Sequence, residues 1–300
     1  MAKGVLLKKS FEVKKASNGS EYGDILFIKK EKEYPAKLWN ITEEDKNLLN
    51  NNSLIGIEGT VESWQGKEQL KISKLHQVNE ANYDINEFVN SVDGDMYLQE
   101  IYQCLDNFQN DELKDVVKTC LGEYEDKFKY NVAAEKFHHD LRGGLAYHTA
   151  TILKTAEAIC TVYPQLNKEL LYSGVILHDL LKCDEIESND LGLDITYSTR
   201  GRLLGHISMG VILLENVCNK LGTSEEIKTI LQHLILCHHG QGEWGSPVKP
   251  LIPEGQVLHS LDKLDADLFN FFRKLNEVEE GAFTDKVFQL DGRMLFKTKL

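Results

Sequence analysis

The stretch VILHDLLK, residues 175–182, joins an apolar run typical of a buried helix or strand to two neighbouring ionisable side chains, His178 and Asp179. Burying such side chains costs free energy unless partners compensate for the water that they lose. The residues directly beside them are leucines, so the partners have to come from elsewhere in the chain.

Length and composition indicate a globular protein with a substantial core. The chain has 300 residues, enough for two domains or one large one, and 42% of them are hydrophobic. No run of about 18 apolar residues predicts a membrane-spanning helix, and lysines near the N-terminus argue against a signal peptide. We expect a cytoplasmic protein with no membrane partner, whose six scattered cysteines are reduced thiols.

Charge is distributed unevenly along the chain. The formal net charge is −13, of which residues 1–78 carry +2 and the remainder −15. An acidic body disfavours non-specific binding of duplex nucleic acid over the whole surface, but it is compatible with a site for divalent cations. Only the N-terminal region has a charge balance that tolerates a polyanion.

Residues 5–78 have the pattern of a small all-β domain with one helix. The predicted order is three strands, a helix with Thr42 as its N-cap, and two strands, and the turn SNGS at residues 17–20 indicates a hairpin. Pro35 predicts an edge or a bulge in the third strand. Because five-stranded OB barrels have this order, we predict an OB-type barrel over residues 1–80.

Aromatic residues and lysines alternate along these strands, among them Trp39, Trp64 and Lys37. Aromatic rings beside lysines on a barrel face form a stacking platform for single-stranded nucleic acid. In the alternative interpretation, most of the aromatic side chains belong to the barrel core and the lysines to a solvated face. The residues alone leave both interpretations open.

The rest of the chain is predicted to be helical. Residues 81–95 are polar and rich in Asn and Asp, which indicates a linker. From residue 96 to about residue 280, apolar residues recur at three- and four-residue spacing, as in amphipathic helices. The tail, residues 281–300, is ambiguous. We therefore predict a multidomain chain in which the all-β barrel is followed by an all-α domain over residues 96–300.

Histidine and aspartate recur in this helical region at intervals of about thirty residues, one group on each of five helices. The series consists of His148, His178, Asp179, His206, His238, His239 and Asp262. Imidazole and carboxylate together suit Mn, Fe, Ni, Co or Zn. Seven ligands exceed the need of one ion, so the set predicts two ions that share a bridging carboxylate, most simply Asp179. Any one of these histidines alone would more simply be a structural core residue.

This series resembles that of the HD-domain metal-dependent phosphohydrolases that carry two metals. The stretches FHHDLRGGLAYHT, HDLLKCDE, GHISMG, HHGQGEWGSP and LHSLDKLDA are similar to the YhaM-type 3′–5′ exoribonucleases of Gram-positive bacteria. The resemblance covers nearly the whole chain and is weakest before residue 80 and after residue 280. It implies an N-terminal OB nucleic-acid-binding domain joined to an HD domain, and it favours RNA binding by the aromatic and lysine residues of the barrel.

The two-metal hypothesis divides the series into two ligand sets that share Asp179. One ion is held by His148, His178, Asp179 and Asp262, and the other by Asp179, His206, His238 and His239. Manganese is the expected metal, with Co, Fe, Ni, Mg or Zn as alternatives, and a water activated by both ions attacks phosphorus.

Several cations are candidate phosphate contacts. Lys182 follows His178 by one helical turn and is predicted to contact the scissile phosphate; the alternative is a surface lysine paired with Asp184 or Glu185. Arg142, beside two glycines, and Arg202, with Arg200 before His206, are further candidates that could equally be solvated surface charges.

Three aromatic residues near the series are candidates for roles other than direct metal ligation. Trp244, in the loop GQGEWGSP, either stacks on a terminal base or only packs against the protein. His259, three residues before Asp262, is a candidate partner of the metal ligands. His233 lies on a different helix face from His238, and we expect it to have a structural role.

The predicted function is a metal-dependent 3′–5′ exoribonuclease that releases nucleoside 5′-monophosphates from single-stranded RNA, with single-stranded DNA as a further substrate. The resemblance alone implies the 3′–5′ direction. The alternative enzyme is an HD phosphodiesterase or phosphatase for small nucleotides, which would tolerate the loss of residues 1–80. A non-catalytic nucleic-acid-binding protein is the contrasting class, and the complete ligand series argues against it. Self-association as a homo-oligomer through the apolar tail, residues 288–300, is left open.

Overall fold

The structure is a computed structural model that describes residues 2–30, 32–64, 67–133, 141–187 and 196–300. It divides the chain into two compact units, Met1–Ser91 and Val92–Leu300. The division falls inside the segment predicted to be a linker, and the domain limits at residues 80 and 96 stay predictions. No helix within the described ranges is long and apolar enough to cross a membrane.

The first unit is a closed barrel of five strands with one helix. Its elements are β1 (Ala2–Lys15), β2 (Glu21–Lys29), β3 (Lys32–Trp39), α1 (Glu43–Asn51), β4 (Leu54–Trp64) and β5 (Lys67–Gln77). The strands follow the order β1-β2-β3-β5-β4 around the barrel, and β3 and β5 pair in parallel. The predicted order of three strands, a helix and two strands is confirmed, and so is the OB-type barrel.

Local sequence signals explain the turns and ends of these elements. Gly19 has a positive φ of 85° in the hairpin between β1 and β2, a conformation that favours glycine. The hydroxyl of Thr42 accepts the backbone N–H of Asp45, whose carboxylate accepts the N–H of Thr42 in return, so that α1 begins with a capping box. Pro35 lies opposite Leu26 of β2 in a ladder without a register shift, so β3 has no bulge there; on its other side, the pairing of β3 with β5 begins only at Ala36.

Strand alternation separates the barrel core from its outer face. In β2, Ile25 and Phe27 are buried in the core, while the intervening residues are partly exposed. In β3, Leu38 is buried, whereas its neighbours Lys37 and Trp39 point to the opposite face. Because successive side chains of a strand alternate between faces, Lys37 and Trp39 share the outer surface of the barrel.

The second unit consists mainly of helices. They are α2 (Gly94–Asp106), α3 (Asp111–Phe128), α4 (Gly144–Val162), α5 (Lys168–Leu177), α6 (Lys182–Glu185), α7 (Thr199–Leu221), α8 (Glu225–Cys237) and α9 (Pro253–Leu275). All eight contribute buried apolar side chains to one continuous core, the short α6 through Cys183 alone. The all-α prediction is confirmed apart from a two-stranded ladder of two-residue strands, β6 (Ile186–Glu187) and β7 (Thr196–Tyr197).

Helix ends and one kink place the predicted ligands. Helix α5 ends at Leu177, and His178 is its C-cap; α8 ends at Cys237, and His238 is its C-cap. Helix α7 is broken at Gly205, whose φ of 72° and ψ of 155° are not helical, so His206 opens the second part of that helix. The tail, which the sequence left ambiguous, packs Val287, Leu290 and Leu295 against α9.

Gly201 and Gly122 offer a matched test of the packing that places α7. A Cβ at Gly201 would overlap the carbonyl of Glu185 and lie 2.7 Å from its Cα, whereas a Cβ at Gly122 on α3 meets nothing within 4 Å. We expect Gly201→Ala to destabilise the protein by about 1–3 kcal/mol because overpacking shifts the backbone. Gly122→Ala should stabilise it by about 0.5–1 kcal/mol through helix propensity. Denaturant unfolding followed by circular dichroism measures both, and equal effects would contradict this packing.

Candidate metal centre

Asp179 lies at the centre of a buried cluster that brings together all seven residues of the predicted series. Asp179 itself stands in the turn after α5, and α4, α7, α8 and α9 supply its neighbours. The cluster contains His148, His178, Asp179, His206, His238, His239 and Asp262. His148 and His238 are completely buried, and only 2% of the Asp179 surface is exposed. Five parts of the chain thus converge on one carboxylate.

The ligand atoms form two groups, and Asp179 belongs to both. One group is His148, His178, Asp179 and Asp262, and the other is Asp179, His206, His238 and His239, with all ligand atoms of a group within 4.8 Å of one another. The division is the one that the two-metal hypothesis proposes.

The two carboxylate oxygens of Asp179 face different groups. Oδ2 lies 3.3 Å from Nε2 of His178, and Oδ1 lies 3.3 Å from Nε2 of His206 and 3.7 Å from Nε2 of His238. Two atoms that each lie about 2.1 Å from one cation are separated by similar distances. The geometry therefore suits a carboxylate that bridges two cations.

Unsatisfied polar atoms support a cation in this cluster. Nε2 of His178, His206 and His238 and Oδ1 of Asp179 are buried and have no hydrogen-bond partner within the described part of the chain. Leaving buried polar atoms unpaired costs about 1–3 kcal/mol each. A divalent cation that accepts the imidazole lone pairs and compensates the carboxylate charge removes this cost, so the donor set fits a metal.

Backbone carbonyls orient three of the imidazoles. Nδ1 of His178 donates to the carbonyl of Val175 at 2.8 Å, and Nδ1 of His238 donates to the carbonyl of Ile235 at 2.7 Å. Nδ1 of His239 donates to the carbonyl of Trp244 at 2.6 Å. Because a carbonyl can only accept, the proton is on Nδ1 and the lone pair is on Nε2, toward the cluster.

Two acidic residues that the sequence analysis did not single out as partners orient the other two imidazoles. Nδ1 of His148 lies 2.7 Å from Oδ2 of Asp265, and Nδ1 of His206 lies 2.8 Å from Oε2 of Glu185. Glu185 also accepts the backbone N–H of His206 at 3.1 Å, so it caps the second part of α7. The spacing of Asp265, three residues after Asp262, was a usable signal, whereas nothing in the sequence marks Glu185 as a partner of His206.

Lys182 is buried and forms an ion pair with Asp179, with its Nζ 2.7 Å from Oδ2. The alternative of a surface lysine paired with Asp184 or Glu185 is wrong, because Lys182 is buried. Asp184 instead pairs with Lys127 at 2.7 Å, and Glu185 pairs with His206 at 2.8 Å. Burial acts to raise the pKa of Asp179, but the positive charge of Lys182 and the adjacent imidazole of His178 outweigh it and hold the pKa well below its usual value. The metal-free centre therefore carries an ionised carboxylate beside an ammonium.

Burial and neighbouring charges give the histidines of the two groups different protonation. Burial and the adjacent His239 and His178 lower the pKa of His238 well below its usual value, so His238 is neutral at pH 7. Burial also acts to lower the pKa of His148, but the carboxylates of Asp262 and Asp265 outweigh it and raise the pKa to about 9. Without a metal, His148 is therefore an imidazolium.

The other candidates occupy varied places. Arg142 stacks on the ring of Tyr130 at 4.1 Å, and Arg202 is exposed in the first turn of α7; their roles as phosphate contacts stay predictions. His233 accepts the backbone N–H of Leu251 at 3.0 Å, as a structural role requires.

On the barrel, the outer face carries a compact group of Tyr22, Lys37 and Trp39. The ring centroids of Tyr22 and Trp39 are 4.8 Å apart, and Nζ of Lys37 lies 5.3 Å and 5.9 Å from them. Trp39 is 43% exposed, whereas Phe27 is a core residue. The barrel aromatics are thus divided between the core and the outer face, and a role of the outer group in stacking nucleic acid stays a prediction. The side chain of Trp64 lies outside the part of the chain that the structure describes.

Comparison with known proteins relates this chain to the HD domain and to proteins named 3′-5′ exoribonucleases. Residues 145–267, which include all seven clustered ligands, match the family model of the HD domain. The chain is 36% identical over 298 residues to the 3′-5′ exoribonuclease YhaM of Shouchella clausii, covering 98% of this chain and 92% of that protein. It is 35% identical over 295 residues to the protein of the same name from Geobacillus sp. strain WCH70, covering 97% and 90%. No solved structure matches the chain.

The raised pKa of His148 predicts proton release when a cation binds. Because a ligand imidazole must be neutral, a cation in the group of His148 displaces a proton below pH 9, whereas one in the group of His238 does not. The affinity of the first group should rise about tenfold per pH unit between pH 7 and 8.5, and level off above the pKa of about 9. Calorimetry in buffers of different ionisation enthalpy measures the release.

The control for this experiment is Asp265→Asn, which removes one of the two carboxylates that raise the pKa of His148. In this variant the pH dependence should move to lower pH. An affinity that is constant from pH 7 to 8.5 for both groups in the unmodified protein would contradict the prediction.

Proposed function

The chain belongs to the family of the YhaM 3′-5′ exoribonucleases, and from this membership we propose that it is a metal-dependent 3′–5′ exoribonuclease that hydrolyses phosphodiester bonds of single-stranded RNA to nucleoside 5′-monophosphates. The observation that carries the proposal is Asp179, a buried carboxylate whose two oxygens face two separate groups of metal-ligand atoms. The 3′–5′ direction rests on the family.

Two divalent cations are proposed, one for each ligand group, and manganese is the proposed metal. His148, His178 and Asp262 would hold one ion and His206, His238 and His239 the other, with Asp179 shared. Such an ion pair lowers the pKa of water and neutralises the charge that develops on phosphoryl oxygens. The exclusively N and O donor set fits Mn, and it also accommodates Fe, Co, Ni or Zn.

The protein's own contribution is preorganised charge and orientation. The carbonyls and carboxylates behind the imidazoles hold their lone pairs toward the cluster, so little reorganisation accompanies binding. Lys182 places an ammonium 2.7 Å from Asp179, and the charge of Asp179 raises its pKa against the effect of burial. Lys182 therefore stays charged and is the proposed contact to a non-bridging oxygen of the scissile phosphate.

The barrel is proposed to hold the single strand. Tyr22 and Trp39 offer adjacent rings on which bases stack, and Lys37 beside them attracts the phosphate backbone. Since base stacking does not distinguish ribose from deoxyribose, single-stranded DNA is a second proposed ligand of this surface. This aromatic pair, of which Trp39 is exposed and Tyr22 partly buried, favours a polymeric substrate over the small nucleotides of the alternative enzyme. Self-association and a cytoplasmic location stay predictions.

Asp179→Asn tests the proposed centre directly. The substitution replaces the shared carboxylate by a neutral amide. Mutating a residue that only hydrogen-bonds to a metal ligand costs up to about 100-fold in activity. Because Asp179 is itself a proposed ligand, activity should fall by at least about 100-fold. The measurement uses 5′-labelled single-stranded RNA with Mn²⁺ on a sequencing gel, where the unmodified protein should produce a ladder that shortens from the 3′ end.

Asp106→Asn is the matched control, because it makes the same change at an exposed carboxylate paired with Lys118. It should leave the ladder unchanged. Activity that persists in Asp179→Asn would contradict the shared-ligand centre. An intact RNA, together with hydrolysis of a small nucleotide by the unmodified protein, would instead support the alternative enzyme.

Substitutions on the barrel should affect long substrates selectively. Trp39→Ala removes a stacking ring worth about 1–3 kcal/mol per base, so KM for a 20-nucleotide RNA should rise roughly tenfold, while turnover of a dinucleotide stays unchanged. Lys37→Ala should weaken binding and reduce its salt dependence. Lys118→Ala, an exposed lysine of the helical unit, is the control. Equal effects on long and short substrates would contradict the proposed platform.

A further inference from the structure

A recess of about 210 Å³ adjoins the metal cluster, and the chemistry derived so far leaves it without a role. Its walls are formed by Trp244 on one side and by one face of α9 on the other. On α9 the lining residues His259, Asp262, Lys263 and Asp267 recur at helical spacing, so they share one face of the helix. Because Asp262 and His239 belong to both the recess and the cluster, the recess opens directly beside the metal ligands.

Hydrogen bonds connect Trp244 and His259, the aromatic residues on the two sides of the recess, to proposed metal ligands. The carbonyl of Trp244 accepts the Nδ1 proton of His239 at 2.6 Å, and Nδ1 of His259 donates to the carbonyl of His238 at 2.9 Å. The ring centroids of Trp244 and His259 are 6.1 Å apart. The position of the indole relative to the reacting phosphate is therefore determined by the same residues that hold the cations.

The exposure of Trp244 fits a ligand-binding role better than packing. Its side chain is 47% exposed, although its backbone is held by His239 on one side and by the carbonyl of Gln241, at 3.1 Å, on the other. Gly245, which follows it, has a φ of 100°, a conformation that allows the tight turn presenting the indole. A fixed aromatic ring with nearly half of its surface open provides a stacking face.

The charges of the lining residues favour an uncharged aromatic ring over a phosphate group as the ligand of the recess. Asp262 and Asp267 contribute two carboxylates, and the one cation among the lining residues, Lys263, is paired with Asp267 at 2.9 Å. Asp262 is a proposed metal ligand, and Asp267 is paired with Lys263, so no unpaired cation of the described lining remains to hold a phosphate group. An uncharged, flat, aromatic ring is accommodated, since it can stack on Trp244 while its polar edge meets the carboxylates.

We propose that this recess binds the nucleobase of the 3′-terminal nucleotide, stacked on Trp244, so that the adjoining phosphodiester is presented to the metal centre. The inference rests on the proposed exonuclease function and names the part of its substrate that the recess receives. Stacking tolerates every base, so the recess positions the strand end without selecting a sequence.

Fluorescence tests the recess without reference to catalysis. The chain contains three tryptophans, so the variant Trp39→Phe with Trp64→Phe leaves Trp244 as the only one. In the presence of Mg²⁺, uridine 5′-monophosphate should quench this fluorescence with saturation, and ribose 5-phosphate should not. Equal behaviour of the two probes, or no quenching by uridine 5′-monophosphate, would overturn the proposal even if the protein degrades RNA.

A double-mutant cycle tests the terminal position. Trp244→Ala on normal RNA, and the unmodified protein on RNA with an abasic 3′-terminal unit, should each lose between about 5- and 150-fold in kcat/KM, the range for one stacked base. The two changes together should lose no more than either alone. Multiplicative losses, or a loss caused only by an abasic unit further inside the strand, would overturn the proposal.

Two further variants separate stacking from damage to the fold. Trp244→Phe retains a stacking ring and should keep most of the activity, and Trp244→Ala should act on terminally abasic RNA as fast as the unmodified protein does. Phe288→Ala removes an aromatic ring that is 87% exposed and lies outside the recess, and it should have no effect. If the unmodified protein leaves all RNA intact, the proposed function fails, and the fluorescence result alone decides about the recess.

Discussion

The carboxylate of Asp179 is buried among the imidazoles of His178, His206 and His238, and the helical unit is organised around it. An ionised carboxylate in such a place is stable only if positive charge surrounds it closely. Lys182 supplies one positive charge within the chain, and the two ligand groups around Asp179 would supply more by holding divalent metal. Helices α5 and α8 end directly before His178 and His238, so that these two C-cap residues lie beside the carboxylate of Asp179.

The residues behind the ligands connect the centre to the fold. His178 and His238 use carbonyls of their own helices, so that their orientation follows from the way in which those helices end. His206 depends on Glu185, which both accepts its Nδ1 proton and caps the second part of α7. One glutamate therefore serves helix stability and ligand orientation together, and Gly201 is required where α7 approaches its backbone.

The two parts of the chain carry net charges of opposite sign, which affects how each can meet RNA. The chain beyond residue 78 carries a formal charge of −15, which by itself repels a polyanion, whereas residues 1–78 carry +2. Divalent cations in the cluster, together with Lys182, would make the local charge positive where the proposed site meets a phosphate. On the barrel, Lys37 lies beside the rings of Tyr22 and Trp39, the arrangement on which its proposed role in holding the strand rests.

The sequence by itself determined the order of the strands and helix of the barrel, the helical character of the second unit and the seven residues of the cluster. Hydrophobic periodicity and capping residues act within a few positions of the chain, and one ligand group per helix is visible as a regular spacing. It also predicted that Asp179 is shared, because seven ligands are too many for one ion.

Only the tertiary structure decided how these residues meet. It determined which oxygen of Asp179 faces which ligand group, that Lys182 pairs with Asp179, and that Asp265 orients His148 across 117 residues of chain. It also brought Trp244 and α9 together as the two walls of a recess. Such contacts depend on the packing of helices that are distant in sequence, and packing angles and distances leave no local pattern in the chain.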